Sequence, residues 1–293
     1  MNKKINSFLS ASPGVWMVRL IITACIVGII VIELGLYFAR PLVTAHSVNL
    51  RSSPQLSAKL VSRINTGTRL KVIKKNESTE WWYVKANGHT GWIASWLIDQ
   101  PKYNAKTADK ISEATIVLDP GHGGQDTGTL SHFGSGANNE EKTYTLPLAL
   151  RVRDLLKPTF ARVIMSRTSD KTVGLQDRAN LSNHTKANLF MSFHYNSSNV
   201  ANDATGFEVF KYHRNADIFA EILNNNFANL PLTNRGVSFG NYLVLRNNTQ
   251  PAVLIEMGFM DNTRDLQYIR NASYRNQVAQ DVVKSMNQYF DAE

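Results

Sequence analysis

Three short stretches in the second half of the chain carry side chains able to do hydrolytic chemistry: Asp119-Pro120-Gly121-His122-Gly123-Gly124, Ser192-Phe193-His194-Tyr195-Asn196 and Glu256-Met257-Gly258-Phe259. Each follows or completes an apolar, strand-length run, so each can end a buried strand with an imidazole or a carboxylate. Glu141 lies between the first two. In open α/β sheets reactive groups gather beyond the carboxyl ends of the strands, which is where His122, His194 and Glu256 would emerge. Neutral imidazoles with a carboxylate suit zinc, and a catalytic zinc with three protein ligands keeps a fourth position for water. The glycines around His122 let the backbone turn sharply and approach a substrate closely. The single cysteine, Cys25, sits inside an apolar run, which excludes a disulfide framework and a thiolate metal site. A metal here has only His and carboxylate to hold it.

The elements that must position these groups follow from the apolar pattern beyond about Ile111. Strand-length runs at Thr115 to Leu118, Ala161 to Ser166, Leu189 to Phe193, Phe207 to Tyr212 and Val253 to Ile255 alternate with helical stretches at Lys142 to Leu156, Leu175 to Thr185, Asn215 to Leu230 and Asp265 to Phe290. This predicts an α/β domain over 111–293, a twisted and mostly parallel sheet with helices on both faces. From Leu42 to Gln100 short β-branched and aromatic runs are broken by turn residues, with Asn87-Gly88 a strong hairpin signal. A small β-barrel is expected there, with at least two of Trp81, Trp82, Trp92 and Trp96 in its core. Residues 101–110 are polar, carry Pro101 and lack periodicity, so they are expected to form a linker.

The run from Val15 to Ala39 holds only Arg19 and Glu33 as charged residues and exceeds the roughly 20 apolar residues a bilayer span needs. Lys3, Lys4 and Arg19 flank or open it, which places residues 1–14 in the cytoplasm and everything after the span outside. An uncleaved anchor at 15–39 is expected; Val43-Thr44-Ala45, which resembles a signal-peptidase site, marks the secreted alternative. The net charge is +9, but the basic residues are scattered, so no specific nucleic-acid partner is expected.

Two families are suggested by the motifs. Asn49-Leu50-Arg51-Ser52-Ser53-Pro54, Thr66-Gly67-Thr68, Trp82-Tyr83-Val84-Lys85 and Gly91-Trp92-Ile93 resemble the bacterial SH3-like domain, which commonly attaches enzymes to the cell wall. Ile116 to Asp126, Glu141-Lys142, Ser166-Arg167-Thr168, Leu175 to Asn180, Ser192 to Asn196, Gly206-Phe207-Glu208 and Val253 to Phe259 resemble the zinc-dependent N-acetylmuramoyl-L-alanine amidases (amidase type 3 family). That resemblance runs from about Ile116 to the C-terminus and implies a phosphorylase/hydrolase-like amidase fold. The implied substrate is peptidoglycan, cut between N-acetylmuramic acid and L-alanine of the stem peptide. On matching positions, His122, Glu141 and His194 become ligands of one Zn2+ per chain, and Glu256 the catalytic carboxylate that relays the proton. Glu140 competes with Glu141, which is preferred because Lys142 follows it as in the family pattern. Asn196 and Arg246 are candidates for substrate binding and Glu208 for fixing the tautomer of a zinc histidine. Asp119, Asp126 and Arg178 are expected to make structural hydrogen bonds or ion pairs.

Two other functions share these features. A wall-binding protein with a degenerate hydrolase domain would hold no stoichiometric zinc, and a zinc peptidase would cut within the stem. No long inhibitory helix is apparent between Gly206 and Glu256, so an open site is expected; whether a protein activator is needed is not legible.

Overall fold

The computed structural model describes residues 13–198 and 200–292. Lys3, Lys4 and most of the expected cytoplasmic segment lie outside the described residues. Helix α1 (Pro13–Phe38) is long and apolar enough to cross a bilayer, and none of its residues is buried against the remainder of the chain. Arg69 receives its C-terminal end, donating from Nη1 to the carbonyl oxygens of Phe38 at 2.8 Å and Arg40 at 3.2 Å.

Strands β1 (Ser47–Arg51), β2 (Leu60–Asn65), β3 (Lys71–Asn76), β4 (Trp81–Ala86) and β5 (His89–Ala94) form an antiparallel sheet in the order β2-β1-β5-β4-β3. Asn87 and Gly88 both have positive φ, 48° and 81°, the left-handed pair that a two-residue hairpin between β4 and β5 requires. Val48, Leu50, Ile64, Val84 and Ile93 alternate inward to make its core. Of the four tryptophans, at least two of them expected inside, Trp81 is buried. Trp82, Trp92 and Trp96 pack against the core while remaining partly exposed.

The linker expected at 101–110 is not a free tether. Tyr103 is 1% exposed within the barrel core, its carbonyl accepts from His46 N at 2.9 Å, and Ala105 N donates to Ser47 O at 3.1 Å. An aromatic in a polar segment found an apolar seat that no local pattern announces.

The second sheet contains β6 (Thr115–Pro120), β7 (Arg162–Met165), β8 (Leu189–Asn196), β9 (Phe207–Lys211), β10 (Asn234–Phe239) and β11 (Ala252–Phe259), in the order β10-β9-β11-β8-β6-β7. Only the β9/β11 pair is antiparallel. Helices α2 (Lys142–Leu156), α4 (Asp217–Asn226), α6 (Thr263–Arg270) and α7 (Ala272–Ala292) cover one face, packing on Ile116, Leu118, Phe193, Val209 and Ile255. Helix α3 (Leu175–Thr185) and the single turn α5 (Leu243–Arg246) cover part of the other, on Val117, Phe190 and Leu254. The helix expected over Asp265 to Phe290 breaks at Asn271, whose side chain accepts from Ser273 N at 2.8 Å and starts α7 anew.

One side chain of the barrel also enters the core of the sheet. Leu56, from the β1–β2 loop, is 8% exposed and lies in the same core as Ile111, Leu189 and Val253. Around it, Asn49 and Arg51 bind Glu113, Trp96 Nε1 donates to Ser112 O at 3.0 Å, and Arg162 reaches Ser78 O. The seam lies at the amino ends of β6, β7, β8 and β11. Leu56→Ala is expected to lower the unfolding free energy by about 2–4 kcal/mol, as a buried Leu truncation does. Barrel and sheet should then still melt in one calorimetric transition; two separated transitions would show that the seam does not couple them.

Candidate metal centre and active site

At the carboxyl end of β6 the chain turns through Gly121 and His122. Gly121 has no room for a side chain: a Cβ there would lie 2.3 Å from the His194 ring. His122 takes φ of 59°, uncommon for a non-glycine residue, and two buried arginines hold it there. Arg178 donates to Asp119 Oδ1 (2.6 Å), Pro120 O (2.8 Å) and His122 O (2.9 Å). Arg167 donates to Pro120 O (3.0 Å) and Gly121 O (2.8 Å). Asp119, fully buried, is fixed by Ser166 and Ser192 as well. Removing Arg178 would leave Asp119 as a buried charge without its ion pair. Arg178→Met is therefore expected to cost about 3–5 kcal/mol, measurable by denaturant unfolding; a loss under 1 kcal/mol (a rough threshold) would show that the loop holds itself.

That loop delivers His122 to Glu141 and His194. His122 Nε2 lies 3.0 Å from Glu141 Oε2 and 3.1 Å from His194 Nδ1, which is itself 2.9 Å from Glu141 Oε1. The three donor atoms fall within 4.8 Å of one another. Glu141 stands immediately before α2, and its carboxylate accepts from the backbone N–H groups of Thr129 (2.9 Å) and Tyr195 (3.0 Å). Glu140 turns away to Lys142. Gly128 closes the cradle, since a Cβ there would meet Glu141 Oε2 at 2.5 Å and the His122 ring at 2.6 Å.

Two imidazole nitrogens and a carboxylate aimed at one another are a donor set that fits a divalent cation, with zinc the usual match. Burial alone would lower the His122 pKa, but Glu141 and Asp126 outweigh it and raise it. Burial would raise that of Glu141, yet the two histidines bring it down to about 2. Asp126 Oδ1 sits 2.9 Å from His122 Nδ1, which fixes the proton on that nitrogen and leaves Nε2 facing the cluster.

Glu256 lies on β11 in register with His194 on β8 and Glu208 on β9. It is 7% exposed, and its Oε2 has no hydrogen-bond partner among the described residues. Burial, then the negative charges of Glu141 and Glu208, push its pKa well above the usual carboxylate range. Glu256 stands outside the three-residue cluster and shares with it a cleft of about 400 Å³. Asn196 lines that cleft, together with Leu175, Tyr242 and Leu243.

Two expectations need correction. Glu208 touches neither histidine: it accepts from Ser238 Oγ at 2.6 Å and Arg235 Nε at 3.1 Å, and Asp126 occupies the role foreseen for it. Arg246 is not part of the cleft lining, its guanidinium being held by Asn241 Oδ1 at 2.8 Å. Sequence reading missed the tyrosine of the cleft wall, Tyr242, and the part Arg167 takes in gripping the loop, whereas Arg178 and Asp119 form an ion pair of the structural kind expected of them.

Residues 116–288 match the family model described as N-acetylmuramoyl-L-alanine amidase, and residues 46–99 that of the bacterial SH3 domain. The chain belongs to the N-acetylmuramoyl-L-alanine amidase family. The probable cell wall amidase LytH of Staphylococcus epidermidis is 34% identical over 251 residues, spanning 84% of this chain and 83% of that protein. Its counterpart in Staphylococcus aureus is 33% identical over the same length. Among solved structures, the catalytic domain of CwlV, an N-acetylmuramoyl-L-alanine amidase from Bacillus (Paenibacillus) polymyxa var. colistinus, superposes with a TM-score of 0.58 at 32% identity, covering 61% of this chain and 99% of its own. An N-acetylmuramoyl-L-alanine amidase from Clostridium difficile gives 0.58 at 31%, covering 61% and 98%. The protein is thus an N-acetylmuramoyl-L-alanine amidase, a peptidoglycan amide hydrolase, with a bacterial SH3 domain ahead of its amidase domain.

Proposed function

We propose that this amidase cuts the muramoyl–L-alanine amide with one zinc held by His122, Glu141 and His194 and with Glu256 as the proton relay. The observation that carries the reading is the separation of two carboxylates by role: Glu141 is locked between imidazoles, while Glu256 stands beside them with an unpartnered oxygen. When bound, zinc would polarise the scissile carbonyl and supply a water that is nucleophilic near neutral pH. Glu256 removes a proton from the attacking water and returns one to the departing nitrogen as the C–N bond breaks. Its burial keeps bulk water from competing for that proton. Asp126 keeps His122 in the tautomer that offers Nε2, and Asn196 offers an amide to the substrate at the cleft wall.

The enzyme acts on the cell wall, outside the cytoplasm. Helix α1 would anchor it to the membrane, and the barrel would hold it to the wall. The decisive experiment is metal analysis of the purified protein combined with mass spectrometry of digested peptidoglycan. One zinc per chain and released stem peptides beginning with L-alanine are expected. Fragments cut inside the stem would favour a zinc peptidase, and a protein without zinc or products would favour a wall-binding module.

A further inference from the structure

The pair formed by Glu208 and Arg235 is unexplained by the catalytic roles above, and its placement is specific. In the order β10-β9-β11, Asn234 on β10 and Met257 on β11 share Phe207 of β9 as their register partner, so Arg235 stands about level with Glu256. Two strand spacings separate them, about 10 Å across the sheet. Glu208 is in register with Glu256 and projects from the same sheet face. The Glu208 side chain is 13% exposed, and it engages Arg235 through Nε alone, at 3.1 Å. The Arg235 guanidinium lies 5.3 Å from the centre of the Phe259 ring, and its side chain is 41% exposed. Its two terminal nitrogens have no hydrogen-bond partner among the described residues. A guanidinium clamped through Nε and against an aromatic ring, with its terminal N–H groups open to solvent, is pre-organised for one carboxylate.

We infer that Arg235 binds a carboxylate of the stem peptide on the leaving side of the scissile amide, an inference that rests on the muramoyl–L-alanine cleavage proposed above. The substrate's own chemistry sets the direction. The lactyl carboxyl of muramic acid is consumed in the scissile amide, so the glycan side presents no carboxylate and the peptide side does. Two extended residues reach about 7 Å, and the arginine side chain spans the remaining distance. The stem peptide therefore departs across β9 and β10. Arg235 is a specificity residue, with Glu208 its positioning residue.

Two muramoyl dipeptides separate this from a structural role, both with the γ-carboxyl of the glutamate capped as a methylamide: muramoyl-L-alanyl-D-glutamate with a free α-carboxylate, and the same compound with that group as a carboxamide. Wild type should favour the carboxylate roughly tenfold in kcat/KM, mostly through KM, as a charge-assisted bidentate contact allows. Arg235→Gln should erase that preference while leaving the carboxamide almost unaffected, and Arg235→Lys should fall between. Equal loss on both compounds, or a wild type indifferent to the carboxylate, overturns the inference. Calorimetric binding of both compounds to Glu256→Gln protein asks the same of affinity without turnover. Arg235-dependent preference in binding, with no cleavage of either compound by wild type, would uphold carboxylate binding at Arg235 and sink the cleavage reading, and with it the leaving-side placement; equal binding of both would overturn the inference alone.

Discussion

Glu256→Gln should reduce turnover by about 10² to 10⁴ while the purified protein keeps its full metal content. The substitution preserves shape in a nearly sealed site and removes only the ability to accept a proton. Its effect on stability should be opposite in sign to its effect on rate. With no cation beside it the folded-state pKa of Glu256 is raised, so its neutral form is the one the metal-free fold favours. That contribution is complete below the unfolded value near 4.5 and is lost as pH rises through the folded pKa. At neutral pH the metal-free Gln variant should therefore melt at the same temperature as wild type or higher. A variant that loses metal, or that melts well below wild type, would mean Glu256 is a ligand or a packing element rather than a base.

Glu141→Ala should fail in the contrary manner, with metal and activity disappearing together. The anionic ligand goes, and with it the acceptor for the backbone N–H groups of Thr129 and Tyr195 that hold the loop and β8 against α2. Loss of an outer partner such as Asp126 typically costs ten- to a hundredfold in metal affinity, and loss of the ligand itself should exceed roughly a hundredfold. Zinc titration of Glu141→Ala beside Asp126→Ala checks the order. In the metal-free wild type, Glu141 adds a pH signature: with its pKa down to about 2, its contribution is present above about 4.5 and fades as pH falls between those values. Retained zinc and activity in Glu141→Ala would move the assignment to Glu140.

Much of this site could be read from residue order because its parts are local to strand ends. His122, His194 and Glu256 close apolar runs, and a run that ends in a polar side chain at a sheet edge needs no distant partner to be recognised. Helices α2 and α3 begin and end where their apolar spacing starts and stops. Strand β10 was illegible for the complementary reason: Asn234 to Phe239 is a mostly polar edge segment with a register shift and Gly236 at φ of 88°, so alternation never develops. The misassignment of Glu208 has the same origin. Its neighbours Arg235 and Ser238 are cross-strand partners, and which strand lies beside β9 is settled by tertiary packing. Tyr103 was lost because one aromatic in a polar stretch carries no period.

The seam around Leu56 sets a geometric rule for whatever the barrel holds. It joins the barrel to the amino ends of strands whose carboxyl ends build the cleft, and strands of six to eight residues separate those ends by about 20 Å. With Tyr103 and Leu56 buried there is no slack in the connection, so the barrel does not swing over the cleft. A wall polymer held by the barrel, as proposed, would therefore be gripped at a different place from the amide being cut. An amidase held in that way would cut locally, in a pattern set by where it lands rather than by how fast it lets go.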